Sequence, residues 1–135
     1  MSLTLRVLAP DQSVFDDTAD EIILPSTTGL LGVVPGHLSM VPAIAFGVLR
    51  VFKNGNWDSI ALSGGFAEVE SNEVTVLVNK AEMGKNIDFA KAEAQLEQAK
   101  NQLSQTQDKE TSPEKINAQE ALNQALAWFN ASKTD

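Results

Sequence analysis

A single histidine, His37, stands in the run Val34-Pro35-Gly36-His37-Leu38, and no other side chain here ordinarily titrates near neutral pH. Proton-transfer chemistry would therefore have to be built around it, with Ser26 or Ser39 as nucleophile and an acid behind. Neither serine occupies the strained Gly-x-Ser-x-Gly elbow that exposes such a nucleophile. A loop histidine beside Pro-Gly reads more simply as a turn or contact residue. Cysteine is absent, which excludes disulfides, thiol nucleophiles and thiolate metal ligands. With no second histidine, zinc lacks a ligand set.

Two other arrangements invite chemistry. The stretch Gly29-Leu30-Leu31-Gly32-Val33-Val34-Pro35-Gly36 is glycine-rich, but it lacks the Lys-Ser/Thr ending with which a phosphate loop closes. The carboxylates Asp16, Asp17, Asp20 and Glu21 cluster at what reads as a strand connection, without calcium-loop spacing. A solvated edge that discourages strand pairing explains them better, and Glu68, Glu70 and Glu73 around Ser71-Asn72 read the same way. What remains is an apolar loop, Leu30, Leu31, Val33, Val34, Leu38 and Met40 between turns. Concentrated apolar residues in an acidic chain suggest a contact surface, although about half of them should face a core.

Charge narrows the partners. The 135 residues carry 18 acidic and 10 basic side chains, a formal net charge of −8. Residues 1–85 hold 10 acids and 5 bases and residues 86–135 hold 8 and 5, so both parts are negative. Phosphate backbones repel such a surface, which argues against nucleic acid as a partner, and anionic lipid headgroups repel it too. No apolar run approaches the roughly 20 residues that cross a bilayer. The start, Met1-Ser2-Leu3-Thr4-Leu5-Arg6, shows neither a basic leader nor a long apolar core, so no secretory signal is expected. Membrane association would run through a protein partner, with no direct insertion.

The elements that must position these residues fall into two regions. Up to Val78 the chain alternates with period two. Leu3, Leu5, Val7 and Ala9 alternate with Thr4, Arg6 and Leu8, and further β-like runs span 13–15, 21–24, 31–34, 46–52, 57–62, 66–69 and 73–78. Turn chemistry separates them: Pro25-Ser26-Thr27-Thr28-Gly29, Pro35-Gly36, Asn54-Gly55-Asn56, Ser63-Gly64-Gly65 and Ser71-Asn72. Asn54-Gly55 suits a tight hairpin, whose central positions need positive φ. About eight or more short strands at this spacing indicate an antiparallel sandwich or barrel.

After Lys85 the pattern changes. Residues 88–104 contain no Gly, Pro or β-branched side chain and are rich in helix formers. Phe89, Ala92, Leu96, Ala99 and Leu103 draw one apolar stripe. A polar link, 105–110, precedes Ser112-Pro113-Glu114, which reads as a helix start: a capping hydroxyl, proline in the first turn and an acid at the positive dipole end. Ile116, Gln119, Leu122, Ala125, Leu126 and Phe129 make the second stripe. The fold class is thus α+β by segregated domains, an antiparallel β-sandwich over 1–85 and an antiparallel two-helix hairpin over 86–135. Each arm, about 25 Å long, is marginal as an isolated helix. Its few large anchors contribute roughly 1.5–3 kcal/mol each before ordering costs. The hairpin should be stable when docked and readily rearranged when not.

Ser26-Thr27-Thr28-Gly29-Leu30-Leu31-Gly32-Val33-Val34-Pro35-Gly36-His37 resembles the loop signature of the ε subunit of F-type ATP synthases. Ser63-Gly64-Gly65-Phe66-Ala67-Glu68-Val69, followed by Asn72-Glu73-Val74-Thr75-Val76-Leu77-Val78, is similar to that family's second signature. The resemblance runs in order along nearly the whole chain and is greatest to cyanobacterial and chloroplast members. It implies a ten-stranded β-sandwich that binds the γ subunit and sits on the ring of c subunits, with a C-terminal helical pair that restrains ATP hydrolysis by extending toward the α/β head. It implies no catalysis by the chain itself, and a peripheral place on the cytoplasmic or stromal side of a thylakoid membrane. By this resemblance Leu30, Leu31, His37, Leu38, Ser39 and Met40 match the ring-facing edge.

Three departures bear on function. Many relatives carry an acid or amide where Leu30 stands. The second helix has Lys115 and Lys133 against Glu114, Glu120 and Asp135, whereas relatives that brake through charge carry several basic residues there. Some bacterial relatives bind ATP through an Ile/Leu-Asp-x-x-Arg-Ala motif, and this chain has Ile87, Asp88, Lys91 and Ala92, with lysine in place of the forked arginine. ATP is thus at most a weak regulatory ligand and no other cofactor is implied; on the residues alone, Asp88 caps a helix and Lys91 lies on a solvated face. Two alternatives stay open: a free-standing β-sandwich binding module using the apolar loop, and a hydrolase using His37.

Overall fold

Leu3, Leu5 and Val7 alternate inward along β1 (Leu3–Ala9), and that parity seeds the core. The computed structural model describes residues 2–106 and 112–133. The polar link at 107–110 and the charge of Asp135 lie outside the described residues. Ten strands form: β1, β2 (Gln12–Ala19), β3 (Glu21–Ser26), β4 (Gly29–Val33), β5 (Ala43–Ile44), β6 (Gly47–Lys53), β7 (Asn56–Leu62), β8 (Gly65–Glu70), β9 (Glu73–Val78) and β10 (Ala81–Met83). They follow one hydrogen-bonded path, β10-β7-β6-β3-β5-β8-β9-β1-β2, with β4 added on β3. Leu5, Ile22, Leu24, Leu49, Ile60 and Val76 fill the centre at zero exposure.

The strands depart from the sequence reading in three ways. β2 continues through Asp16 and Asp17, so these carboxylates lie within a strand and not at a connection. It ends the strand path and its charges face solvent, as an unpaired edge requires. β5 and β10 are two and three residues long, too short to show a period. β1 pairs with β9 in parallel, unlike the other pairs. Alternation reports which face is buried and carries no information about a distant partner's direction. The expected Asn54-Gly55 hairpin forms with φ 52° and 81°, joining Lys53 to Asn56.

A 3-10 turn (Gly84–Asn86) leads into α1 (Phe89–Ser104) and α2 (Pro113–Ser132). Asp88 caps α1 by accepting from the Lys91 amide at 3.1 Å, and Ser112 caps α2 by accepting from the Lys115 amide at 3.2 Å. The α1 stripe buries Ala92, Leu96 and Ala99 as its spacing predicts, but Phe89 at its start is exposed and packs on Phe129 with ring centres 5.3 Å apart. The α2 stripe is different. Ala118, Ala127 and Ala131 are buried, while Ile116 is 48% exposed and Leu126 36%. α2 is squeezed between α1 on one side and β6, β7 and the 3-10 turn on the other. Alanine permits that approach and the larger side chains are left at the margins.

Two contacts fix the hairpin's position. Trp128 Nε1 donates to Glu82 Oε1 at 2.9 Å, tying α2 to β10. Gly84 is buried where α2 ends, and a Cβ there would collide with the Ala131 carbonyl oxygen and stand 3.1 Å from that of Ser59. Gly84→Ala is therefore expected to weaken the docking of α2 by about 1–3 kcal/mol. Hydrogen exchange should then show faster exchange across α1 and α2, with β1, β6 and β9 still protected. Uniform acceleration through the sandwich would mean that Gly84 supports the whole fold and not the seam.

Candidate functional site

The β3–β4 hairpin places the first exposed apolar residue. Ser26 Oγ donates to the Gly29 carbonyl and accepts from the Thr28 amide, closing the turn, and Gly29 takes φ 130°, which suits glycine. Strand parity then sends Val33 into the core and packs Leu31 against it, while Leu30 is left 78% exposed. Beyond β4, the Pro35-Gly36 turn closes with the His37 amide on the Val34 carbonyl at 3.2 Å. The Gly36 amide donates to Asn72 Oδ1 at 2.7 Å, which fastens the loop to the β8–β9 turn. Met40 exchanges both backbone hydrogen bonds with Val69, at 3.0 and 2.8 Å.

Between and beside these anchors Leu38 is 83% exposed, Val41 is 68% exposed, and Val34 and Met40 are partly exposed. Five of the nine exposed large hydrophobics among the described residues lie between positions 30 and 41, so they form a concentrated display and not a scatter. The backbone holds it in place. Sequence reasoning missed Val41, which lies outside the apolar run it singled out, 30–40. Val33 stood in the sequence both in the apolar loop and in the β-like run 31–34, and the structure places it in β4 facing the core.

His37 sits in this loop half-buried, with its Nδ1 2.8 Å from the Leu38 carbonyl oxygen. Neither serine is among its hydrogen-bond partners. Ser26 is committed to its own turn, and Ser39 is exposed beside Leu38. The acids separate into distinct pairings: Arg6 lies between Asp16 (3.9 Å) and Glu73 (3.8 Å), Lys53 meets Asp17 at 2.6 Å, and Asp20 accepts from the Asn54 amide at 3.2 Å. The Lys53 hydrogen bond, aided by the Thr18 amide, holds the Asp17 carboxyl below its usual range. Among the described residues no three His, Cys, Asp or Glu are grouped to hold a metal ion.

At the head of α1, Asp88 uses its carboxylate for the cap, Lys91 is exposed, Ile87 donates its amide to the Gly84 carbonyl at 3.1 Å, and Ala92 is buried in the helical seam. Asp88 and Lys91 thus share a helix start, while Ala92 faces away from solvent.

Comparison with known proteins covers nearly the whole chain in two successive parts. The family described as ATP synthase, Delta/Epsilon chain, beta-sandwich domain, matches residues 2–84, and its long alpha-helix domain matches residues 85–133. The chain is similar to the ATP synthase epsilon chain of Prochlorococcus marinus strain NATL2A, 84% identical over 135 residues and 100% of both chains. It is 65% identical over 133 residues to that of strain MIT 9313, covering 98% of this chain and 100% of the relative. With the epsilon chain of Synechococcus sp. strain CC9902 it shares 61% identity over 134 residues, covering 99% and 98%. Among solved structures it resembles a chain of the Euglena gracilis mitochondrial ATP synthase, OSCP/F1/c-ring, with TM-score 0.79 and 25% identity over 97% of this chain and 81% of that one. It shares its fold with a chain of the Tetrahymena thermophila mitochondrial ATP synthase central stalk/c-ring, at TM-score 0.63 and 13% identity over 98% of both.

Because the loop's exposed side chains contribute little to the core, Leu30→Gln and Leu38→Gln should each change unfolding free energy by less than about 0.5 kcal/mol in urea. Leu24→Ala, in the core beneath, should cost about 2–5 kcal/mol. A large loss from Leu38→Gln would show the loop to be structural. For Asp17, a depressed folded-state pKa means stability that is complete above the unfolded value and lost as pH falls through the folded one. The stability gap between the protein and Asp17→Asn should accordingly be present at neutral pH and close in strong acid, as read by thermal unfolding across pH. A gap that widened in acid would contradict the assignment.

Proposed function

The chain belongs to the ATP synthase Delta/Epsilon chain family, and on that premise we propose that it acts as a non-catalytic rotor subunit of a rotary ATP synthase. In this reading residues 1–85 are the docking body, which joins the γ subunit to the ring of c subunits, and residues 86–135 are a regulatory helical pair. The observation that carries it is the apolar display on an anchored loop: Leu30, Leu38, Met40 and Val41 stand outward from backbone fastened to Asn72 and Val69. A surface of that kind suits an apolar protein ring better than a soluble ligand. His37 and Ser39 supply polar contacts at its margin, and Leu31 holds the strand beneath from inside.

Torque transfer asks for stiffness, and a close-packed sandwich core supplies it. In this reading the chain meets the membrane through its protein partners; no helix among the described residues is long and apolar enough to cross one. Its place is the cytoplasmic or stromal side of a thylakoid membrane. The helices restrain ATP hydrolysis by leaving the sandwich for the α/β head. Support comes from the seam, where alanines and one side-chain hydrogen bond to the sheet hold α2. Glu114 and Glu120 offset Lys115 and Lys133, so contact with an acidic head gains little from charge. Ile87, Asp88, Lys91 and Ala92 form a weak regulatory nucleotide site, since the Asp88 carboxylate serves as a cap and lysine replaces a forked donor.

The test is ATPase and proton-pumping measurement on the reconstituted complex. Leu30→Asp with Leu38→Asp should lower coupling by more than about tenfold in apparent ring affinity, because burying an unpaired carboxylate costs well over 1.4 kcal/mol. A chain ending at Lys85 should leave coupling intact and raise hydrolysis. Full coupling with both aspartates in place would defeat the docking assignment, and unchanged hydrolysis on truncation would defeat the regulatory one.

A further inference from the structure

Beside the C-terminal end of α2 lies an open concavity of about 580 Å³, formed where the β6–β7 hairpin meets the helix. Arg50, Trp57 and Ser59 line it from the sheet, Asn130 and Lys133 from α2 and its cap, and among the described residues no Asp or Glu lines it, in a chain of net charge −8. The Arg50 guanidinium lies 5.0 Å from the centre of the Trp57 ring, which packs on Phe52 at 4.9 Å. A stacked guanidinium is held by its face and keeps its edge donors free for an oxyanion. Lys133 lies over Phe129 at 4.9 Å and places a second cation where the helix end would otherwise repel an anion.

An independent observation points the same way. Ser59 is 3% exposed, and its hydroxyl is the one buried side-chain polar atom among the described residues without a hydrogen-bond partner. An orphaned buried donor is costly and is ordinarily satisfied by protein, water or ligand. Register explains its place: Ser59 pairs with Arg50 across β6 and β7, so both side chains leave the sheet on the side that α2 covers.

We propose that this pocket binds a phosphate oxyanion, held by Arg50 and Lys133 and completed by the Ser59 hydroxyl. The phosphate is either free or carried on a nucleotide. The site is separate from Asp88 and Lys91. Because α2 supplies one wall, a ligand here binds only the docked hairpin and stabilises it by mass action. Binding itself does not depend on the rotor assignment. Its regulatory consequence does rest on that reading.

Inorganic phosphate titrated into the full ¹⁵N-labelled chain provides the test, with ATP as the second arm. Phosphate should shift the amides of Trp57, Ser59, Asn130 and Lys133 saturably. Arg50→Gln and Lys133→Gln should each weaken binding by about tenfold, the usual worth of one charge-assisted contact. Ser59→Ala, which leaves both cations in place, should weaken it less. Lys100→Gln, a distant surface lysine, should change nothing. If both ligands shift the same amides, the phosphate group is what is recognised; if ATP shifts residues 87–92 instead, indifferent to Arg50→Gln, only the first site takes nucleotide. Absence of saturable phosphate shifts, or equal weakening by Lys100→Gln, overturns the proposal. Protection of the helices from exchange by bound phosphate, without change in ATPase of the complex, would retain the site and remove its regulatory role.

Discussion

Everything this chain displays depends on which side chains β3 and β4 turn inward. With Ile22, Leu24 and Val33 fixed in the core, strand parity leaves Leu30 no inward option, and the loop after β4 must leave the sandwich with its apolar side chains outward. A one-residue slip would bury Leu30 and expose Leu31. Two backbone fastenings, Gly36 to Asn72 and Met40 to Val69, then convert an apolar loop that could collapse onto the body into a fixed platform. The apolar display is therefore a consequence of core packing, and its rigidity comes from one backbone pair, Met40 with Val69, and from one side chain, Asn72, which accepts from the Gly36 amide.

The helical seam obeys a different constraint. Where the sandwich core is filled by Leu, Ile and Val, the interface of α2 with the sheet is built from Ala127, Ala131 and Gly84. Small residues allow close backbone approach but remove little apolar area from water, so each contributes less than a core leucine. The seam is tight in distance and weak in energy. One charge-assisted hydrogen bond, Trp128 to Glu82, and one unsatisfied hydroxyl, Ser59, act on it in opposite directions.

Much of this was legible in the residues. Asn54-Gly55 marked its hairpin because positive φ at two central positions suits few dipeptides, and Ser112-Pro113-Glu114 marked the α2 start through capping chemistry. The α1 stripe was legible because that helix has one dominant partner. The α2 stripe was not, because a helix caught between two partners buries whichever residues permit approach, and periodicity finds only large apolar ones. β5, β10 and the parallel pairing of β1 with β9 depend on contacts between segments distant in sequence. Of the exposed apolar loop, Leu30 and Leu38 were read and Val41 was missed. The Arg50 concavity could not be read at all, because Arg50, Trp57 and Ser59 become neighbours of Lys133 only when α2 docks.

These constraints determine how the hairpin can leave. α1 packs on α2, and α2 alone of the two makes extensive contact with the sheet. An open groove of about 720 Å³, lined by Gln95, Gln98 and Gln102 of α1 and by Pro10 and Lys80 of the sandwich, separates the first helix from the body. Releasing α1 alone would expose Leu96 and Ala99 while leaving α2 in place, giving up the apolar part of the helical seam for no gain in sheet contact. Releasing α2 takes α1 with it, so the seam between the two helices is kept and only the contacts of α2 with β6, β7 and the 3-10 turn are given up. The sandwich loses only a thin cover, since its own core is complete beneath β6 and β7. Departure of both helices together is thus the least costly opening of this fold, and it leaves the apolar loop at 30–41 untouched.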